Sequence, residues 1–206
     1  MYARSTTVRA QPDKIDLGIT QVRDRVLPMV TAMPGCIGMS MMVDRESGEC
    51  IVTTAWETEA SMQASAEGVR PIREQTTELM SGTSAVQEWE IAVMHRDHWA
   101  TDGSCVRSTW FSVDPSQVDH ALDVYRMALM PRLEELEGFC SASLLVDRAT
   151  GMSVSSVAFD TRAAMEATRP AGEAIRQAAV SQLNGKVLDI HEYELCLAHL
   201  NVPELV

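Results

Sequence analysis

Val43-Asp44-Arg45-Glu46-Ser47-Gly48 sits between two apolar runs and returns as Val146-Asp147-Arg148-Ala149-Thr150-Gly151. The offset is 103 residues (146 − 43), and it holds on both sides of the motif. Upstream, Arg4-Ser5-Thr6 recurs as Arg107-Ser108-Thr109, Pro12 as Pro115, Pro28 as Pro131 and Gly35 as Gly138. Downstream, Thr58 recurs as Thr161, Met62 as Met165, Ile72-Arg73 as Ile175-Arg176 and Gly82 as Gly185. One extra residue then enters, so Glu90 and His95 match Glu194 and His199 at 104 (194 − 90). A single register kept through prolines, glycines and apolar positions marks an internal duplication. The chain is one module written twice, over residues 1–96 and 105–206, with the polar stretch 97–104 as linker.

Within a module the hydrophobic period changes in a set order. Residues 3–10 alternate and read as a strand. Pro12-Asp13 opens a helix whose inward stripe is Ile15, Ile19, Val22 and Val26, with Val118, Leu122, Tyr125 and Leu129 as counterparts. That helix runs to about residue 32, and Pro28 is expected to bend or end it. Cys36–Val43 and Glu49–Trp56 read as a hairpin closed through Gly48. Thr58 is placed to cap a second helix, which Pro71 should interrupt and Gly82 should end. Val86–His95 is a last strand. The order βαββαβ is the ferredoxin-like plan, with helices on one face of an antiparallel sheet. The bare face needs a cover. The expected fold class is therefore α+β, with two tandem modules whose sheets face each other as an intramolecular dimeric α+β barrel.

Composition narrows the functions. The net charge of −12 comes without a basic patch, so no nucleic-acid partner is expected. No stretch approaches the roughly 20 apolar residues of a membrane helix. Met1–Ala10 has no charged head, apolar run and cleavage site, so no signal peptide and a cytoplasmic location are expected. The five cysteines, Cys36, Cys50, Cys105, Cys140 and Cys196, are odd in number and form no CxxC, and read as buried reduced thiols.

Three features resemble the antibiotic biosynthesis monooxygenase superfamily. They are Met33-Pro34-Gly35-Cys36-Ile37 before the second strand, the strand-to-helix passage Thr54-Ala55-Trp56-Glu57-Thr58-Glu59-Ala60, and the βαββαβ order, each echoed in the second half. The resemblance implies a dimeric α+β barrel and a cofactor-independent monooxygenase of a small aromatic or apolar compound, present as a monomeric pseudo-dimer or a homodimer. It also implies an Asn near the first strand and a Trp or His on the second helix in the oxygenase and haem-degrading branches. Neither is here, since the asparagines are Asn184 and Asn201 and the second helices hold no Trp or His. The alternative is a non-catalytic binding or sensing module that keeps the barrel.

Candidate ligand-binding residues follow from the matched positions. Trp56 and Trp89, with Phe159 as the counterpart of Trp56 in the second module, are placed to line the cleft between sheet and helices. Met62 is one of 13 methionines, a residue that fills irregular apolar space. Arg73 and Arg176 are helix-borne cations that suit an acidic or phenolic group. His95 and His199 are equivalent imidazoles. His95-Arg96-Asp97-His98 reads as a solvated strand end with no third ligand cluster in sight, so no metal is expected, and the resemblance implies no cofactor. Arg4 and Arg107, in the first strands, need acidic partners if buried, with Glu90 and Glu194 as candidates.

Overall fold

A computed structural model of the chain describes residues 1–205. The first half forms β1 (Tyr2–Arg9), α1 (Ile15–Gln21), α2 (Leu27–Thr31), β2 (Cys36–Val43), β3 (Glu49–Trp56), α3 (Glu59–Ala64), α4 (Ala66–Leu79) and β4 (Thr83–Arg96). The second repeats the order with β5 (Cys105–Ser112), α5 (Val118–Val124), α6 (Met130–Glu134), β6 (Phe139–Asp147), β7 (Met152–Phe159), α7 (Arg162–Ala167), α8 (Arg169–Leu183) and β8 (Lys186–Leu200). The strands hydrogen-bond in a closed order, β1-β3-β2-β8-β5-β7-β6-β4. The α+β barrel class read from the sequence is the class observed.

The chain packs as two compact units: residues 1–89 with 195–202, and residues 90–194 with 203–205. In the first, β1 pairs with β3 from Tyr2↔Trp56 to Arg9↔Glu49, and β2 flanks β3. Its core holds Ile15, Val22, Val30, Met39, Met41, Trp56, Met62 and Met80. In the second, β5 lies between β7 and β8 (Cys105↔Phe159, Cys105↔Glu194), and β6 lies between β7 and residues 90–96 of β4. Its core holds Leu122, Tyr125, Leu129, Met130, Phe139, Leu144, Phe159 and Met165.

Three details depart from sequence expectation. Pro28 does not end its helix. A π turn at Val22–Val26 precedes it, Leu27 N–H reaching back to Val22 O, so Pro28 falls in the first turn of α2, where no N–H is needed. The second half repeats this at Tyr125–Leu129, ahead of Pro131. Pro71 lies inside α4, and the interruption falls earlier, at Ser65 between α3 and α4. There the Arg4 guanidinium donates to Met62 O, the carbonyl that a continuous helix would offer to residue 66. Gly82 is not the left-handed helix terminus. That conformation falls on Ser81 (φ 50°) and, in the second half, Asn184 (φ 47°). Gly82 is required by crowding instead, because a Cβ there would lie 2.4 Å from Arg9 O. Thr58 and Thr161 do cap α3 and α7, each Oγ1 accepting an N–H three residues on.

Candidate functional site

The first strand of each module carries a buried arginine. Arg107 Nε donates to Glu192 Oε1 (2.9 Å), Nη1 to Thr168 Oγ1 (3.2 Å), and Nη2 to Met165 O. Arg4 makes the same set, with Glu88, Ser65 Oγ and Met62 O. The expected acids were Glu90 and Glu194. The partners are two residues earlier on the same face of each strand, and Glu90 pairs with Arg148 instead. Both guanidiniums are satisfied by the protein, so they fasten the broken second helix to the first strand.

Beside each arginine, a cleft opens between the sheet and the helices. In the first unit it measures about 40 Å³ and is lined by twelve residues, among them Arg4, Val22, Val52, Val69, Arg73 and Thr76. In the second unit it measures about 100 Å³. Every one of the twelve has its counterpart, 103 residues on, in the lining of the second cleft. The clefts are therefore one site present twice and filled differently. Val69 becomes Gly172 and Thr76 becomes Ala179, which clears the wall formed by the second helix. In the first unit, Met80 is buried against Gly18, its sulfur 2.5 Å from where a Cβ would stand. The second unit has Leu183 and Ala121 at these places.

The larger cleft also gains a polar pair. Val22 and Val52 are replaced by Tyr125 and Ser155, whose hydroxyls meet at 2.9 Å. Tyr125 opens the π turn, a distortion that recurs at functional sites. Burial pushes its phenol up to about 12, against a smaller lowering by the Ser155 hydrogen bond. The group stays protonated. Arg176 lines the same cleft and is paired with Glu173 one turn earlier (2.8 Å). The rest of the wall is apolar, including Leu122, Leu129, Leu133, Val157, Phe159 and Ile175.

Of the residues singled out in the sequence, Phe159 and Arg176 meet in this cleft, and Arg73 lines the smaller one. Trp56 and Met62 are sealed in the first unit's core, the Trp56 indole N–H donating to Thr54 Oγ1 (3.0 Å). Trp89 is buried and donates to Ser5 Oγ (2.8 Å). His95 stacks on Phe139 and reaches Glu134 and Glu204, while His199 is exposed. Sequence reasoning missed Tyr125–Ser155 and Gly172. The signal was available in the alignment of the halves, where two valines turn polar together and a third becomes glycine.

A second polar cluster lies outside the cleft. His98 Nε2 contacts Asp160 Oδ1 (2.8 Å), His98 Nδ1 contacts Asp97 Oδ2 (2.8 Å), and Cys140 Sγ–H donates to Asp160 Oδ1 (3.3 Å). Burial first, then the Asp160 carboxylate, pushes the Cys140 thiol up to about 12. The hydrogen bonds to Asp97 and Asp160 raise His98, and the bond from His98 lowers Asp160.

Residues 1–68 match the sequence pattern of the antibiotic biosynthesis monooxygenase family. The chain is 53% identical over its whole length to an uncharacterized Mycobacterium tuberculosis protein, Rv2557, of which it covers 92%. This chain belongs to the antibiotic biosynthesis monooxygenase family. Solved structures agree on the monooxygenase-like fold. A candidate monooxygenase of Fusobacterium nucleatum superposes with a TM-score of 0.68 at 11% identity, over 94% of this chain and 90% of that one. An anthrone oxidase-like protein gives a TM-score of 0.61 at 18% identity, over 94% and 91%. No helix among the described residues is long and apolar enough to cross a membrane.

Proposed function

We propose that the protein binds a small, mostly apolar aromatic molecule carrying a hydroxyl or keto oxygen, in the cleft of the second unit. The observation that carries this is the paired clefts. Twelve positions enclose about 40 Å³ in one module, and their counterparts form part of the lining of about 100 Å³ in the other, with a hydroxyl pair placed in the larger. Packing alone gives no reason to exchange Val69 and Thr76 for Gly172 and Ala179, since emptied core volume destabilises. The size allows no more than a single ring, because a cavity of roughly 150 Å³ takes benzene. Burying about 150 Å² of ring at ~25 cal/mol per Å² contributes roughly 4 kcal/mol, which alone corresponds to about millimolar affinity. Tighter binding depends on Tyr125, Ser155 and Arg176.

Family membership supports a second reading, a cofactor-independent monooxygenase acting on the bound compound. Such a reaction draws its electrons from the substrate, which must first lose a proton. No carboxylate or imidazole lines the cleft among the described residues, and Tyr125 is held protonated. The lining therefore favours binding over turnover.

Titration of the full chain with phenol, hydroquinone and toluene, followed by NMR or calorimetry into the millimolar range, tests both readings. One saturable site per chain is expected. Tyr125→Phe should weaken phenol about fivefold, near the 1 kcal/mol of a typical net hydrogen bond, and leave toluene unchanged. Absence of saturable binding overturns the proposal. Oxygen uptake with hydroquinone that scales with protein and disappears in Gly172→Val would replace the binding reading with the monooxygenase one.

A further inference from the structure

We propose that His98, Cys140 and Asp160 form a site for a zinc-class divalent cation, with Asp97 orienting the imidazole. The proposal is independent of the cleft. The three side chains offer nitrogen, sulfur and carboxylate oxygen, a donor set that suits Zn(II) and Co(II). Their ligand atoms all lie within 4.8 Å of one another. Ligands at 2.0–2.3 Å from a tetrahedral zinc stand roughly 3.3–3.8 Å apart, so small rotations complete the geometry. Asp97 Oδ2 lies 2.8 Å from Nδ1 and leaves Nε2 for the metal, the arrangement in which a carboxylate fixes a metal-binding histidine.

The backbone assembles this group. Cys140 is the bulged residue of β6, where register shifts between Phe139 and Ser141, and a bulge re-aims its side chain. Cys140 O accepts from Asp97 N (2.9 Å) and His98 N (3.3 Å), which fastens the imidazole-bearing segment to the thiol-bearing residue. Asp160 N donates to Gly138 O (2.8 Å). The first module keeps this scaffold, with Asn201 N to Ile37 O (3.0 Å) and Glu57 N to Gly35 O (2.9 Å). Yet it carries Ile37, Glu57 and Val202 at the equivalent positions (140 − 103, 160 − 103, 98 + 104). The fold thus does not require these ligands, and they occur together in one module only. Cys140 is buried, whereas the His98 and Asp160 side chains are 41% and 45% exposed, so an ion has a route in and keeps a position open to water. On binding, the Sγ–H bond breaks, its proton passes to solvent, and a sulfur–metal bond forms without redox change.

The test is titration of the chelator-stripped full chain with Co(II) under a thiol-free reductant, with zinc-loaded native mass spectrometry as the count. One equivalent is expected, with a sulfur-to-cobalt charge-transfer band that zinc abolishes. Cys140→Ser should erase the band and His98→Gln should weaken binding at least 100-fold, while Cys50→Ser changes neither. Asp97→Asn should keep the band and weaken binding about 10–100-fold. His98→Gln substitutes a part-exposed residue and leaves the core intact, so its result stands even if Cys140→Ser folds poorly. No band at stoichiometric cobalt, or cobalt affinity unchanged in His98→Gln, overturns the site and leaves a His98–Asp160 contact that ties residues 97–98 to the end of β7.

Discussion

Arg107 shows how one side chain decides a local structure. A strand arginine with 5% exposure is tolerable only because Glu192, Met165 O and Thr168 take its donors. Taking Met165 O also breaks the second helix at Thr168, as Arg4 breaks the first module's helix at Ser65. Glu192 is held below the usual glutamate range, first by Arg169 and then by Arg107. Its folded value lies below its unfolded one, so this contribution is present above pH 4.5 and is lost as pH falls through the folded value. Glu192→Gln should therefore flatten the acid side of a melting-temperature profile while lowering stability at pH 7. An acid limb as steep as wild type would remove Glu192 from that role. The sequence announced that Arg4 and Arg107 need acids. It placed them two residues too far along the strand, because period two fixes the face and not the distance.

At the scale of elements, α4 and α8 carry the difference between the two clefts. Gly172→Val restores in α8 the residue that α4 carries as Val69. A Cβ at 172 meets only the guanidinium tips of Arg107 and Arg176, each at 3.3 Å, and the first module accommodates Val69 in a cleft that the equivalent Arg4 and Arg73 also line. Stability should stay within about 1 kcal/mol of wild type, since glycine is the poorer helix former. Phenol binding should fall at least tenfold. Circular dichroism and the same titration check both parts, and retained binding would dissociate the cleft from the ligand. The helices themselves were legible from period and caps. The π turns were not, because a five-residue hydrogen bond has no composition of its own, and Pro28 or Pro131 signals only that the α ladder must change.

At the scale of the molecule, the sequence boundary between modules does not coincide with a packing boundary. The first compact unit includes residues 195–202, and the second includes residues 90–96 of β4. In a 1–96 fragment, Ile37 O loses Asn201 N–H and the edge of β2 is bared. The fragment should be insoluble or self-associate, whereas the full chain should melt in one cooperative transition. A monomeric, well-dispersed 1–96 fragment would show that the module folds alone. By itself the sequence determined the duplication, the element order and the barrel class, because prolines, glycines and hydrophobic period act locally and leave their mark twice. Only the tertiary structure decided that one cleft is filled and the other open. It also decided that Cys140 and Asp160, 42 and 62 residues beyond His98 (140 − 98, 160 − 98), converge on it. Volume and ligand geometry are sums over side chains distant in sequence, and no local pattern encodes such a sum.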